Sequence, residues 1–175
     1  MRYIALLRGI NVGGNTMIKM SELKAVFEQL GLENVATYIN SGNIAFDFKA
    51  VPEGSLVVSI QEAISKAFGR DISTMVRERE DIKRILANNP YEGDYESHKE
   101  MHVLFLKEEM PREKTDQLLA AAPERERYSV QGREIYCHLP MGVAGSLLGK
   151  SFIEKKLRVA VTGRNWRTVE KLALL

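Results

Sequence analysis

One stretch of the sequence comes close to a nucleotide-binding motif. Residues 144–151 read AGSLLGKS, which differs from the phosphate-binding pattern G-x-x-x-x-G-K-[ST] only in its first residue. A true phosphate loop needs a further strand that supplies an acidic residue for magnesium, and the chain after Ser151 is too short to provide one. Residues 9–16, GINVGGNT, are a second near match, with Asn15 where lysine is required. We therefore interpret AGSLLGKS as a turn that leads into a helix, without a nucleotide.

Two glycine-containing bends carry residue types that bind small anions. They are RGINVGG at residues 8–14 and NSGN at residues 40–43. Glycine permits positive φ angles that expose backbone N–H groups, and an adjacent arginine suits a carboxylate or phosphate. The same residues are also ordinary turn formers, so a purely structural role fits the pattern as well. The predicted ligand-binding residues in these bends are Arg8, Asn11, Gly13, Gly14, Ser41, Gly42 and Asn43.

Arg164 and Asn165 form a third candidate group, near the start of the closing helix. Asn165 can cap that helix, and the exposed N–H groups of a helix start favour an anion. A capped helix beside a solvated arginine is the simpler alternative. We predict that both residues bind the ligand, with Arg164 joining the site if the two halves of the chain face each other.

The other polar residues do not predict a metal or catalytic site. His98 and His102 are four residues apart, which suits zinc on a helix, but His102 begins a predicted strand and no third ligand is near. Cys137 alternates with Ile135 and is predicted to face the core, while His138 faces the other side. We predict no cofactor and no metal, and the sequence leaves open whether the protein is an enzyme.

The elements that position these residues follow a recognisable order in the first half of the chain. A buried strand, Tyr3–Leu7, precedes the helix SELKAVFEQLG, which Ser21 can cap and Gly31 can end. YINSGNIAF predicts a β-hairpin, and the helix SLVVSIQEAISKAFG leads to a strand, DISTMV. A connecting helix then runs from RERED to the stop signal NNP. The order β-α-β-β-α-β is that of ferredoxin-like domains.

The second half repeats this pattern. It has the strand MHVLFL, a helix starting at Pro111, a hairpin around Gln131 and Gly132, the short helix FIEKKL, the strand VAVT and the closing helix RNWRTVEKLALL. We therefore predict an α+β protein of two ferredoxin-like repeats, each followed by an extra helix. The predicted domains are residues 1–90 and 91–175.

This topology predicts that the two bends meet. In such a domain the first two strands are parallel and the third lies between them, antiparallel to both. The loop after the first strand and the hairpin between the second and third strands then emerge at the same edge. Arg8 and Asn11 are expected beside Ser41 and Asn43, although about thirty residues separate them along the chain.

The composition is typical of an ordinary globular protein, and it argues against nucleic-acid binding and against membrane insertion. Of 175 residues, 45% are apolar and 27% charged, and the net charge is +2, spread evenly over the two halves. Neither half is a strongly basic module, which argues against nucleic acid as the main partner. A single cysteine fits a reducing compartment, and the N-terminal apolar run is too short for a signal sequence or a membrane span. We predict a cytoplasmic protein, with its oligomeric state left open.

Several segments in combination resemble a known family. RGINVGG, TYINSGN and RNWRTV, together with NNPY, VLFL and REIYCHLPMG, are similar to the bacterial domain-of-unknown-function family 1697. The resemblance covers nearly the whole chain, and it implies a duplicated ferredoxin-like fold without an established activity. It also implies that the predicted ligand residues, with Trp166 and Thr168, occupy characteristic polar and glycine positions. Around Ser146 the family carries two basic residues where this chain has glycine and leucine, so two charges are missing there.

Three hypotheses for function follow. The first is a protein that binds a small anionic ligand at the two bends. The second is an RNA-binding module, since RNA-recognition domains share this strand order, but the open face of strand three lacks aromatic residues on which bases could stack. The third is a protein-interaction module that uses an exposed sheet face or edge. We prefer the first.

Overall fold

The computed structural model describes all 175 residues, which form two four-stranded antiparallel sheets and six helices. The elements of the first half are β1 (Arg2–Leu7), α1 (Met20–Gln29), β2 (Glu33–Tyr38), β3 (Asn43–Asp47), α2 (Glu53–Phe68), β4 (Thr74–Glu78) and α3 (Arg79–Ala87). Those of the second half are β5 (Met101–Leu106), α4 (Arg112–Ala121), β6 (Arg127–Gln131), β7 (Glu134–His138), α5 (Phe152–Lys155), β8 (Val161–Asn165) and α6 (Trp166–Leu174). The protein is therefore α+β with a duplicated two-sheet arrangement.

The first sheet has the strand order β2-β3-β1-β4. Strand β3 pairs antiparallel with both β1 and β2, so β1 and β2 run parallel with β3 between them, as predicted. The register places Leu6 opposite Asn43 and Leu7 opposite Thr74. The carboxyl end of β1 therefore lies beside the start of β3 and the start of β4.

Alternation along the strands decides which face of this sheet forms the core. Tyr3, Ile44 and Phe46 are fully buried on one face, and helices α1 and α2 supply the apolar side chains that pack against them. The rings of Tyr3 and Phe46 stack with 5.7 Å between centroids, and Phe27 of α1 meets Phe46 edge-on. Because Tyr3 belongs to this core, it cannot serve as a stacking platform for a base.

The ends of the first two helices show which start and stop signals the chain uses. Gly31 and Gly69 follow α1 and α2 with φ angles of 76° and 64°, the left-handed conformation that ends helices. The predicted cap at Ser21 is wrong. Helical hydrogen bonding already starts at the carbonyl of Lys19, which accepts from the amide of Leu23, so Ser21 lies inside the first turn.

The second sheet repeats the order of the first, as β6-β7-β5-β8. Its hairpin turns at Gly132, which has a φ of 59°. Cys137 faces the core beside Leu104 and Ile135, as predicted. Helix α6 has a buried apolar stripe that includes Trp166 and Val169. The predicted helix at FIEKKL is reduced to the four residues of α5.

Two strands extend further towards the carboxyl terminus than the sequence predicts. Strand β4 continues through Glu78, and β8 continues through Asn165, although both ends were predicted to belong to helices. The reason is pairing: Ile4 of β1 lies opposite Arg77, and Val103 of β5 lies opposite Arg164. Hydrogen bonding to the neighbouring strand thus outweighs the low strand propensity of these polar residues, because strand propensity depends strongly on context.

The chain divides into two compact units, Met1–Lys83 with Leu172–Leu175, and Arg84–Lys171. This division falls within α3 and assigns the last four residues to the first unit. The boundary at residues 90 and 91 follows the sequence repeat and stays a prediction. None of the helices combines the length and the hydropathy needed to cross a lipid bilayer.

Candidate functional site

The two glycine-containing bends meet at one edge of the first unit. The amide of Leu7 donates a hydrogen bond to the carbonyl of Gly42 at 2.8 Å, which links the end of β1 to the hairpin. The amide of Arg8 donates to the carbonyl of Ser73 at 2.9 Å, which links the same point to the residues before β4. We call residues 8–18 and 39–43 the rim. The predicted juxtaposition of the two bends is confirmed.

Asn11 joins the two parts of the rim through its side-chain amide. Its Nδ2 donates to the carbonyl of Asn40 at 2.7 Å and to the carbonyl of Ile18 at 3.0 Å, and its Oδ1 accepts from the amide of Ile18 at 2.7 Å. Its φ of 55° lies in the left-handed region, which asparagine tolerates better than most residues. Both donors of the Asn11 amide are thus used by the protein itself, so this residue shapes the rim.

Asn43 and Ser41 close the hairpin from inside. The Asn43 side chain is fully buried, and its Nδ2 donates to the carbonyl of Tyr38 and to the Ser41 hydroxyl, both at 3.0 Å. A buried amide that lacked such partners would be costly, so this arrangement fixes the turn. Ser41 is only partly buried, so its hydroxyl lies closer to solvent than the Asn43 amide does.

Gly42 is the point of closest approach between the hairpin and the loop after β1. A Cβ atom added to it would lie 2.8 Å from the Cβ of Leu7 and 2.9 Å from the Cδ1 of Ile10, and its φ is 84°. Ile10 is fully buried beneath it. Only glycine combines an easy positive φ with the absence of a Cβ atom, which explains in physical terms why glycine occupies this position.

The tip of the loop is different, because its glycines face open space. Gly13 and Gly14 have φ angles of 59° and 77°, are exposed, and have no atom within 4 Å of an added Cβ. The turn is closed by the amide of Asn15, which donates to the carbonyl of Val12 at 3.0 Å. Neither the Gly13 nor the Gly14 amide donates to a protein acceptor. The two glycine amides are therefore available to an anion, and the partly buried Arg8, which also takes part in the protein's own interactions, begins the same loop.

Sequence reasoning missed three exposed apolar side chains at the rim. Val12, Met17 and Ile39 are 61%, 70% and 51% exposed. Ile39 also has a φ of 49°, which is unusual for a β-branched residue. A signal was present in the sequence: each of these residues directly follows or precedes a polar or glycine-rich turn, where solvated side chains are expected.

Arg164 and Asn165 belong to the second unit. Arg164 is buried on β8, and its Nη1 donates to the Thr162 hydroxyl and to the carbonyl of Gly163, both at 2.8 Å. Burial lowers the pKa of its guanidinium to about 10. Asn165 caps α6 as predicted, since its Oδ1 accepts from the amide of Thr168 at 2.9 Å. Both side chains thus have structural partners, and their ligand role stays a prediction.

Arg164 has an equivalent in the first unit that the sequence pattern does not reveal. Arg77 occupies the same register position of the first sheet, is 2% exposed, and donates from Nη1 to the carbonyl of the preceding Val76 at 2.9 Å. The two arginines have the same position in the two sheets, and each donates to the carbonyl of the residue before it, so the duplication extends to single side chains.

A polar and aromatic network in the second unit was also missed. His138 Nδ1 accepts from Arg127, at 3.2 Å from Nε and 2.8 Å from Nη2, while His138 Nε2 lies 3.4 Å from an oxygen of Glu100. Arg127 further pairs with Asp94 at 2.9 Å and lies over the ring of Tyr91 at 4.7 Å. Because arginine can only donate, the contact with Arg127 assigns the acceptor role to Nδ1. These contacts hold residues 91–100, which precede β5, against the β6–β7 hairpin.

The segment AGSLLGKS uses its backbone amides internally. The amide of Leu147 donates to a carboxylate oxygen of Glu126 at 3.0 Å, and the amide of Gly149 donates to the Ser146 hydroxyl at 3.1 Å. The amide of Lys150 donates to the carbonyl of Ser146. A carboxylate of the protein thus already occupies part of the loop that would have to surround phosphate, in agreement with the interpretation as a turn.

Comparisons with known proteins agree with this structure. A search of curated proteins gives no match. Among solved structures, the conserved bacterial protein SP0830 from Streptococcus pneumoniae is similar, with 25% sequence identity and a TM-score of 0.79, over 99% of this chain and 97% of that one. The family model described as "Protein of unknown function (DUF1697)" matches residues 1–136, which is most of the chain. The chain therefore belongs to the DUF1697 family.

Proposed function

We propose that the protein binds a small anionic ligand at the rim of its first unit. The observation that carries this proposal is the tip of the β1–α1 loop, where Gly13 and Gly14 are exposed and their amides donate to no protein acceptor, in the loop that begins with Arg8. Backbone N–H groups and a guanidinium are the donors that proteins use for carboxylates and phosphates.

The predicted ligand residues then divide into two roles. Arg8, Gly13 and Gly14 contact the anion, with the Ser41 hydroxyl at the border of the site. Asn11, Gly42 and Asn43 hold the loop and the hairpin together, since their polar groups or their lack of a side chain serve the protein's own contacts. In this proposal the second group affects binding through the shape of the rim.

The proposal includes a fold assignment and a location. We assign both halves to the ferredoxin-like fold, because both sheets have the strand order that a β-α-β-β-α-β chain produces, and in the first half two helices pack on one face of the sheet. A buried single cysteine is compatible with the reducing environment of the cytoplasm. The proposal concerns binding and assigns no reaction.

A thermal-shift screen against inorganic phosphate, sugar phosphates, nucleotides and small carboxylates tests the proposal. A ligand present at a hundred times its dissociation constant adds about 2.7 kcal/mol of stability, which corresponds to roughly 5 to 10 °C for a chain of this size. The shift should disappear in Arg8→Gln and persist in Lys24→Gln, a matched change on the exposed face of α1. An equal shift in both variants, or no shift with any anion, would contradict the proposal.

A further inference from the structure

Three of the exposed large apolar residues are chain neighbours of residues that the Asn11 side chain joins by hydrogen bonds. The side-chain amide of Asn11 bonds to the backbone of Ile18 and of Asn40. The immediate chain neighbours of these three residues are Val12, Met17 and Ile39, and each is more than half exposed. Successive Cα atoms lie about 3.8 Å apart, so each of the three residues lies one Cα step from a residue joined by the Asn11 side chain. Isolated exposed apolar residues are common, but a group around a candidate site requires an explanation.

Ile39 is exposed at a position where folding gains nothing from isoleucine. Its φ of 49° is unfavourable for a β-branched residue, and glycine or asparagine would adopt it with less strain. Its side chain is half exposed, so burial does not compensate for the strain. Strain of this kind, when observed, points to a functional role for the residue.

We propose that the ligand of the rim is an amphipathic anion, with an acidic group held by Arg8 and the amides of Gly13 and Gly14, and an apolar portion that contacts Val12, Met17 and Ile39. This inference rests on the proposed function and specifies its substrate class. The two sets of groups adjoin in the chain, because Val12 directly precedes the two glycines. A methionine in the apolar area adapts to ligands of different shape.

The size of the apolar area favours a small ligand over a protein partner. Stable protein interfaces bury about 800 Å² on each partner and involve twenty or more residues a side. Three side chains suffice for the contact of a short alkyl chain or a ring, but they fall well short of such an interface.

The test uses the straight-chain carboxylates from acetate to octanoate as probes, with affinity measured by calorimetric or NMR titration of the full chain. Each added methylene that reaches the apolar area should tighten binding about fourfold, the equivalent of about 0.8 kcal/mol per CH₂. Octan-1-ol, which lacks the charge, should bind much more weakly than octanoate. Arg8→Gln should weaken the binding of every carboxylate in the series.

Two apolar-area variants separate this inference from the proposed function. Ile39→Asn suits the left-handed backbone and should retain or raise the thermal stability, so that loss of folding does not confuse the result. Ile39→Asn and Met17→Ser should each weaken octanoate roughly fivefold and leave acetate unchanged. Met141→Ser is the control, because Met141 is an equally exposed methionine of the second unit. This variant should change neither the affinity for octanoate nor that for acetate.

The outcomes are distinguishable. If acetate and octanoate bind with equal affinity and both depend on Arg8, the proposal of an amphipathic ligand is wrong, while the proposal of an anion site at the rim is supported. If no carboxylate binds and inorganic phosphate does not either, both proposals fail. If the chain self-associates in sedimentation, and Ile39→Asn abolishes this without affecting octanoate, the apolar area is an interface between copies and the inference is overturned.

Discussion

Substitution of Gly42 by alanine tests the close contact that brings the two bends together. The new Cβ would lie 2.8 Å from a Leu7 atom and 2.9 Å from Ile10, on a backbone with a φ of 84°. The left-handed conformation costs a non-glycine residue about 1 to 2 kcal/mol, and an overpacked site costs about 1 to 3 kcal/mol more. We expect Gly42→Ala to lower the free energy of unfolding by roughly 3 to 4 kcal/mol.

Gly13→Ala provides the matched control. Gly13 also has a positive φ, 59°, but nothing lies within 4 Å of an added Cβ, so only the backbone penalty of about 1 kcal/mol applies. Urea unfolding measures both, and thermal unfolding should show a drop of about 6 to 16 °C for Gly42→Ala against about 2 to 4 °C for Gly13→Ala. Equal losses in the two variants would refute the packing of the hairpin against the loop after β1.

Three further predictions concern single residues. Asn11→Ala removes three hydrogen bonds and an asparagine suited to positive φ, so urea unfolding should show a loss of roughly 3 to 4 kcal/mol, and a loss below 1 kcal/mol would contradict the bridging role. Burial raises the pKa of the Cys137 thiol, so a thiol reagent at pH 8 should label it only as fast as the protein unfolds; rapid labelling of the native chain would be contrary evidence. Burial lowers the pKa of His102 below its usual 6.5, so the unfolded chain gains a proton first as the pH falls. Stability should therefore decrease below about pH 6.5, and His102→Gln should reduce this dependence in urea unfolding at pH 7.5 and 5.5.

The sequence predicted the rim because local signals determine its position. Alternating apolar residues and the glycine of NSGN predict the β2–β3 hairpin, and the strand order then requires that this hairpin lie beside the end of β1. The contact between Leu7 and Gly42 follows from topology, and no knowledge of side-chain contacts was necessary.

The roles of individual side chains could not be predicted in the same way. An asparagine in a turn suits a ligand and a backbone carbonyl equally well, and only the folded structure shows that Asn11 bonds to the backbone of residues 18 and 40. Arg77 and Arg164 are polar residues beside helix signals, so their place in strands depends on pairing partners far away in the chain. The contacts of His138 likewise join segments that are nearly forty residues apart.

An NMR titration of the ¹⁵N-labelled chain with inorganic phosphate and with hexanoate tests the central claim most directly. We predict that the amide resonances of Gly13, Gly14 and Arg8 shift and saturate as the ligand is added. These shifts should be absent in Arg8→Gln. Shifts that do not saturate, or that appear only around Asn165 in the second unit, would contradict a ligand site at the rim.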